Sequence, residues 1–153
     1  MDILLDANIL LRLANRKDVQ RDESLEALRL LRVAGHRTVI VPQVLYEYWV
    51  VATRPLTQNG LGMLPAEVAN DFDEIRRDYR LLDDESGVWK IWQSLVVSYG
   101  VVGKRAHDAR LVAAMVRHGI THLLTFNGQD FSRFNEIAVI APSNAPTFPP
   151  ANG

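Results

Sequence analysis

The chain has 153 residues, 48% of them apolar, with a formal net charge of −1 and no cysteine. That length fits one domain around a single core. The charge gives no global electrostatic case for a nucleic-acid partner, though it leaves room for a local basic rim. Disulfides, thiolate nucleophiles and thiolate-bound zinc are excluded. The apolar start carries Asp2 and Asp6 without a basic leader, and the longest apolar stretch, 39–52, is broken by Pro42, Gln43 and Glu47. Neither a signal peptide nor a membrane span is expected, and a cytoplasmic location is.

Residues 2–5 read as a short buried strand, followed by a helix over 7–15. The spacing of Leu25, Leu28 and Leu31 predicts a helix over 24–34, stopped at Gly35. The β-branched run 38–41 predicts a second strand, ended by Pro42. A helix over 44–53 follows, then a loop over 54–64 containing Pro55, Asn59, Gly60 and Gly62. Pro65 opens another helix, since its missing N–H needs no partner in the first turn. A short strand is expected within 79–82, a helix over 86–99, and the best-defined helix over 106–118, stopped by Gly119. Two further strands are expected at 122–125 and 137–140. The tail, 142–153, holds four prolines and little to bury, so it is expected along the surface or disordered. Strands alternating with helices predict a parallel sheet covered on both faces, a three-layer α/β/α sandwich. Residues 1–141 then form the single domain.

Acidic and polar residues recur at the ends of these strands, where ligands gather in an open α/β sheet. Asp6 follows the first strand. Glu47 is the only side chain ionised at neutral pH in Val44-Leu45-Tyr46-Glu47-Tyr48-Trp49-Val50-Val51-Ala52, a helix apolar enough to be largely buried. A carboxylate there either protonates, meets a cation, snorkels to the surface or pairs with an arginine such as Arg54. Asp108 lies in the first turn of the helix 106–118, where the helix dipole alone would favour it. Asn127 and Asp130 follow the fourth strand, yet Asn127-Gly128 is also a common tight-turn dipeptide and Asp130 suits a cap for 131–134. Together the carboxylates suit a hard divalent cation with oxygen ligands, and thus metal-assisted phosphodiester hydrolysis. A haloacid-dehalogenase-like phosphatase would need a second Asp where Asn8 stands. A response-regulator receiver would need an acidic pair by the first strand and a late lysine.

Four segments occur in the order and spacing of PIN domains: Ile3-Leu4-Leu5-Asp6-Ala7-Asn8-Ile9-Leu10, the helix of Glu47, His107-Asp108-Ala109-Arg110-Leu111-Val112-Ala113-Ala114, and Leu123-Leu124-Thr125-Phe126-Asn127-Gly128-Gln129-Asp130-Phe131. From residue 2 to 141 the chain resembles a VapC-type toxin ribonuclease. The resemblance implies a central parallel sheet, and Asp6, Glu47 and Asp108 as the acids that bind Mg2+ or Mn2+. It implies that Asn8 orients Asp6 and that Thr125 is the hydroxyl beside the site. The fourth acidic position falls to Asn127 or Asp130. RNA as substrate, a cognate antitoxin and a homodimer are implied by the same likeness, as is the alternative of a silent PIN module that binds RNA or protein.

Among the basic residues near these motifs (Arg12, Arg54, Lys104, Arg105, Arg110), Arg54 and Arg105 are the candidates for RNA backbone contacts. His107 is expected to make a structural hydrogen bond at a helix start. Tyr46, Tyr48, Trp49, Trp89 and Trp92 are expected in the core or at a dimer surface rather than stacked on bases.

Overall fold

The structure, a computed structural model, describes residues 1–151. Strands β1 (Asp2–Leu5), β2 (Arg37–Ile40), β3 (Arg80–Leu81), β4 (His122–Leu124) and β5 (Ala138–Ile140) form one sheet in the order β3-β2-β1-β4-β5. Every neighbouring pair is parallel. The crossovers carry α1 (Ala7–Ala14), α2 (Arg21–Val33), α3 (Pro42–Thr53), α4 (Pro65–Asp78), α5 (Val88–Ser98) and α6 (Ala106–His118).

The strand order explains the layers. From β1 to β3 the chain moves outward one strand at a time, then leaps back past β1 to β4 and continues to β5. Right-handed crossovers then put α1–α4 on one face and α5 and α6 on the other. Contacts agree: α1 meets α2 and α3, α3 meets α4, and α5 packs on α6. The result is the three-layer α/β/α sandwich. Ile3, Leu4, Leu5, Ile40, Leu123 and Leu124 are wholly buried at its centre, as strands covered on both faces must be. No helix among the described residues is long and apolar enough to cross a membrane.

Several boundaries differ from expectation. Helix α2 starts at Arg21, three residues early, with Asp22 and Glu23 favouring its first turn. Pro42 does not merely end β2; it is the first residue of α3. Helix α3 is not buried all round: Val44, Leu45 and Tyr48 face the core, whereas Tyr46 and Val50 are 60% and 58% exposed. Of the remaining aromatic residues, Trp49 and Trp89 are exposed, and Trp89 stacks on Trp92.

The proline-rich segment is ordered against the domain. Pro142–Thr147 forms a 3-10 helix on α2, with Pro142 and Ala145 buried. Beyond it, the His36 ring bonds the Pro149 carbonyl at 2.9 Å, and the Ala151 N–H donates to the Ala34 carbonyl at 2.8 Å. Of the two expectations, a path along the surface or disorder, the described part takes the first, since a proline buries its ring with no N–H to satisfy. Residues 152–153 of that tail lie outside the described residues.

Candidate active site

The strand order reverses at β1, and the crevice above that reversal is where an open parallel sheet presents a ligand site. Asp6 emerges there directly from β1, its N–H tied to the Leu124 carbonyl of β4 at 3.0 Å. Asp6 is 6% exposed. Thr125 Oγ1 donates to Asp6 Oδ2 at 2.6 Å and Asn8 Nδ2 donates to the same oxygen at 3.0 Å. Asn8 Nδ2 also reaches Thr125 Oγ1 at 3.0 Å, while Asn8 Oδ1 accepts from the Phe126 N–H and Thr125 Oγ1 from the Asn127 N–H. Asn8 and Thr125 thus fix one carboxylate oxygen of Asp6 and tie it to the loop after β4.

Glu47 reaches the same cavity from α3. Gln43, one turn earlier and 5% exposed, donates from Nε2 to Glu47 Oε1 at 2.8 Å and to the His107 carbonyl at 2.8 Å. Its Oε1 accepts from Arg110 Nη1 at 3.0 Å. Gln43 therefore joins α3 to α6 and orients Glu47. In sequence it only interrupts an apolar run; the signal for it is a lone amide four residues before a lone carboxylate. At His107 it is the main-chain carbonyl, not the ring, that enters this network. His107 also lines the cavity.

Asp108 and Asp130 close the third side. Arg105 Nη1 lies 3.3 Å from Asp108 Oδ2 and 2.5 Å from Asp130 Oδ1. Asn127 lines the cavity as well. Gly128 does not adopt the positive φ of a tight hairpin turn. A Cβ there would meet Val139 Cγ1 of β5 at 3.0 Å, closer than ordinary contact.

The cavity so formed, about 780 Å³, is lined by Asp6, Glu47, Asp108, Asn127 and Asp130 and edged by Tyr46 and Val50. Burial holds the Asp6 carboxyl above the usual range against the Thr125 hydrogen bond, and the charges of Asp108 and Asp130 push it further the same way. Glu47 is raised mainly by burial, with Asp6 and Asp108 adding to it. Asp108 is raised by burial, an effect opposed by Arg105 and reinforced by Asp130.

An all-oxygen set whose members raise one another suits a hard divalent cation. Among the described residues, however, no three His, Asp or Glu side chains stand as a ready metal cage. Each carboxylate is turned onto its own partner: Asp6 onto Thr125 and Asn8, Glu47 onto Gln43, and Asp108 and Asp130 onto Arg105. Of the two arginines expected at RNA, Arg105 lies over these acids. Neither is among the residues that line the cavity. Arg54 closes the loop after α3, where its guanidinium donates to the Asn59 carbonyl at 3.2 Å. Nor does Glu47 pair with it.

A family model described as the PIN domain matches residues 3–137. The chain belongs to the PIN domain family. No curated protein sequence matches it. Among solved structures, this PIN domain is similar to VapBC2 of Rickettsia felis bound to a DNA fragment from its promoter (TM-score 0.66, 17% identity, 92% of this chain and 98% of that one). It is also similar to FitAcB of Neisseria gonorrhoeae (TM-score 0.63, 17% identity, 94% and 99% covered). A third similar structure is VapC20 of Mycobacterium tuberculosis, described as a sarcin-ricin loop cleaving toxin (TM-score 0.62, 19% identity, 88% and 98% covered). At these identities the likeness is one of fold.

Proposed function

We propose that this PIN domain is a metal-dependent endoribonuclease, the toxin of a type II toxin–antitoxin pair. The observation that carries the reading is the convergence of Asp6, Glu47, Asp108 and Asp130, from four separate segments of the chain, on one cavity at the strand-order reversal. Asp6, Glu47 and Asp108 would hold Mg2+ or Mn2+, with Asp130 or Asn127 completing the set. When bound, the ion supplies an activated water and neutralises charge on the phosphodiester. The chain's own part is to hold the ligands: Thr125 and Asn8 fix Asp6, and Gln43 fixes Glu47 against α6. A toxin–antitoxin complex of Klebsiella pneumoniae among the similar folds supports a cognate antitoxin as partner. The exposed apolar edge of α3 at Tyr46, Trp49 and Val50 is a surface that such a partner, or a second copy in a homodimer, would cover.

The test is cleavage of labelled RNA with Mg2+, with Mn2+ and with EDTA. Cleavage that needs the ion and is lost in Asp6→Asn and Glu47→Gln supports the reading; full activity in either variant sinks it. One observation favours a second reading, a silent PIN module that binds RNA or protein: Arg105 already neutralises Asp108 and Asp130. That reading expects RNA binding or partner binding without cleavage in any divalent ion.

A further inference from the structure

We infer that Arg105 is a resident counter-cation of the site: it holds the Asp108–Asp130 edge whenever no metal is there, and a second divalent ion binds at that edge only by displacing it. This rests on the metal-site reading above and extends it. A single nitrogen of Arg105 spans two carboxylates, 2.5 Å from Asp130 and 3.3 Å from Asp108. Ordinary surface pairs join one base to one acid and contribute little. Here the guanidinium stands between two like charges that would otherwise repel each other across the cavity.

Its position argues the same way. Arg105 is the N-cap of α6, where the helix dipole disfavours a cation. What holds it there is the pair of acids. The turn Gly103–Arg105, with Gly103 at φ +61°, brings the chain into α6 just before Asp108, so Arg105 and Asp108 share a face at i and i+3.

The contacts divide the site. Asp6 and Glu47 are held by neutral donors (Thr125, Asn8 and Gln43), and that half stays open to a cation. The Asp108–Asp130 half is filled by an arginine. At rest the site therefore takes one ion readily, on Asp6 and Glu47 with the Asp108 oxygen that Arg105 does not touch, and a second poorly. The Arg105 side chain is 42% exposed, which gives it solvent to swing into. Once displaced, its forked donors would be free to meet a phosphate.

Electron paramagnetic resonance of Mn2+ titrated into the metal-free full chain tests this without any activity reading. Wild type should bind one ion, with a second much weaker. Arg105→Gln should tighten the second step roughly tenfold, and Arg105→Lys should lie near wild type. With Asp130→Asn in place, the second step should vanish and Arg105→Gln should change nothing. Circular dichroism melts establish that each variant is folded. Equal second-step binding in wild type and Arg105→Gln overturns the inference and leaves the metal-nuclease reading standing. No Mn2+ binding in either overturns both.

Discussion

Gln43 Nε2 donates to Glu47 Oε1 at 2.8 Å, one helical turn along α3, while the same nitrogen holds the His107 carbonyl of α6. Replacing it with Leu strands a partly buried carboxylate and a carbonyl, and leaves the Arg110 guanidinium only Asp84. Gln43→Leu should cost about 2 kcal/mol of stability, read as a fall in Tm of about 6 °C. RNA cleavage should fall with it by roughly tenfold to a hundredfold, as when the support of a metal ligand is lost. Unchanged cleavage would mean that Glu47 needs no orientation.

Thr125 Oγ1 donates to Asp6 and accepts from both Asn8 and the Asn127 N–H. Thr125→Val keeps the shape and removes all three bonds. The expected loss is about 2 kcal/mol in urea unfolding and roughly tenfold or more in cleavage. Thr125→Ser should recover most of both.

Asp6→Asn should abolish cleavage, by roughly a hundredfold or more, while raising the Tm of the metal-free protein. The gain, on the order of a few degrees, follows because the variant removes a buried charge that Asp108 and Asp130 oppose. A lower metal-free Tm would show that the Thr125 and Asn8 hydrogen bonds to the carboxylate outweigh its burial.

Burial, with neighbouring charge, holds Asp6, Glu47 and Asp108 above their ordinary values in the folded state. Between about pH 4 and those raised values, the folded protein binds more protons than the unfolded chain. The stability these groups contribute is therefore full below about pH 4 and is lost as pH rises through the raised values. Denaturation of metal-free wild type beside Asp6→Asn and Glu47→Gln, across pH 4 to 8, should show wild type losing ground as pH rises. Saturating Mg2+ or Mn2+ should remove the difference in slope, because the ion then answers the charge.

Gly128→Ala would press a Cβ on Val139 Cγ1 at 3.0 Å. A cost of about 1 kcal/mol is expected from such overpacking, with Val139→Ala relieving it in a double-mutant cycle. Simple additivity would mean that the two residues do not bear on each other.

The central strands were legible because Ile3-Leu4-Leu5 and Thr38-Val39-Ile40-Val41 are short apolar runs buried on both faces, and helix α6 because Gly119 stops it cleanly. Asp6 and Glu47 stood out as charges in apolar surroundings. What stayed hidden depended on partners far away in sequence. Gln43 is defined by contacts 64 and 67 residues distant, with His107 and Arg110. The partners of Arg105 cannot be read from its being basic, and Gly128 looks like a turn residue in sequence because only β5, ten residues on, shows how little room lies beside it. The outer face of α3 was misjudged because hydropathy alone does not say which apolar residues have something to pack against.

The leap in strand order from β3 back to β4 has a consequence in time. Asp6 and Glu47 come from the first third of the chain, but β1 pairs with β4 only across about 120 residues, Leu4 beside Leu123. Asp108 comes on the helix just before β4 and Asp130 beyond it, and the threonine that fixes Asp6 follows β4 directly. Contacts of such long separation form after local ones. A chain still on the ribosome would hold every part of α1 to α4 and yet have no assembled carboxylate cluster until residue 130 has emerged.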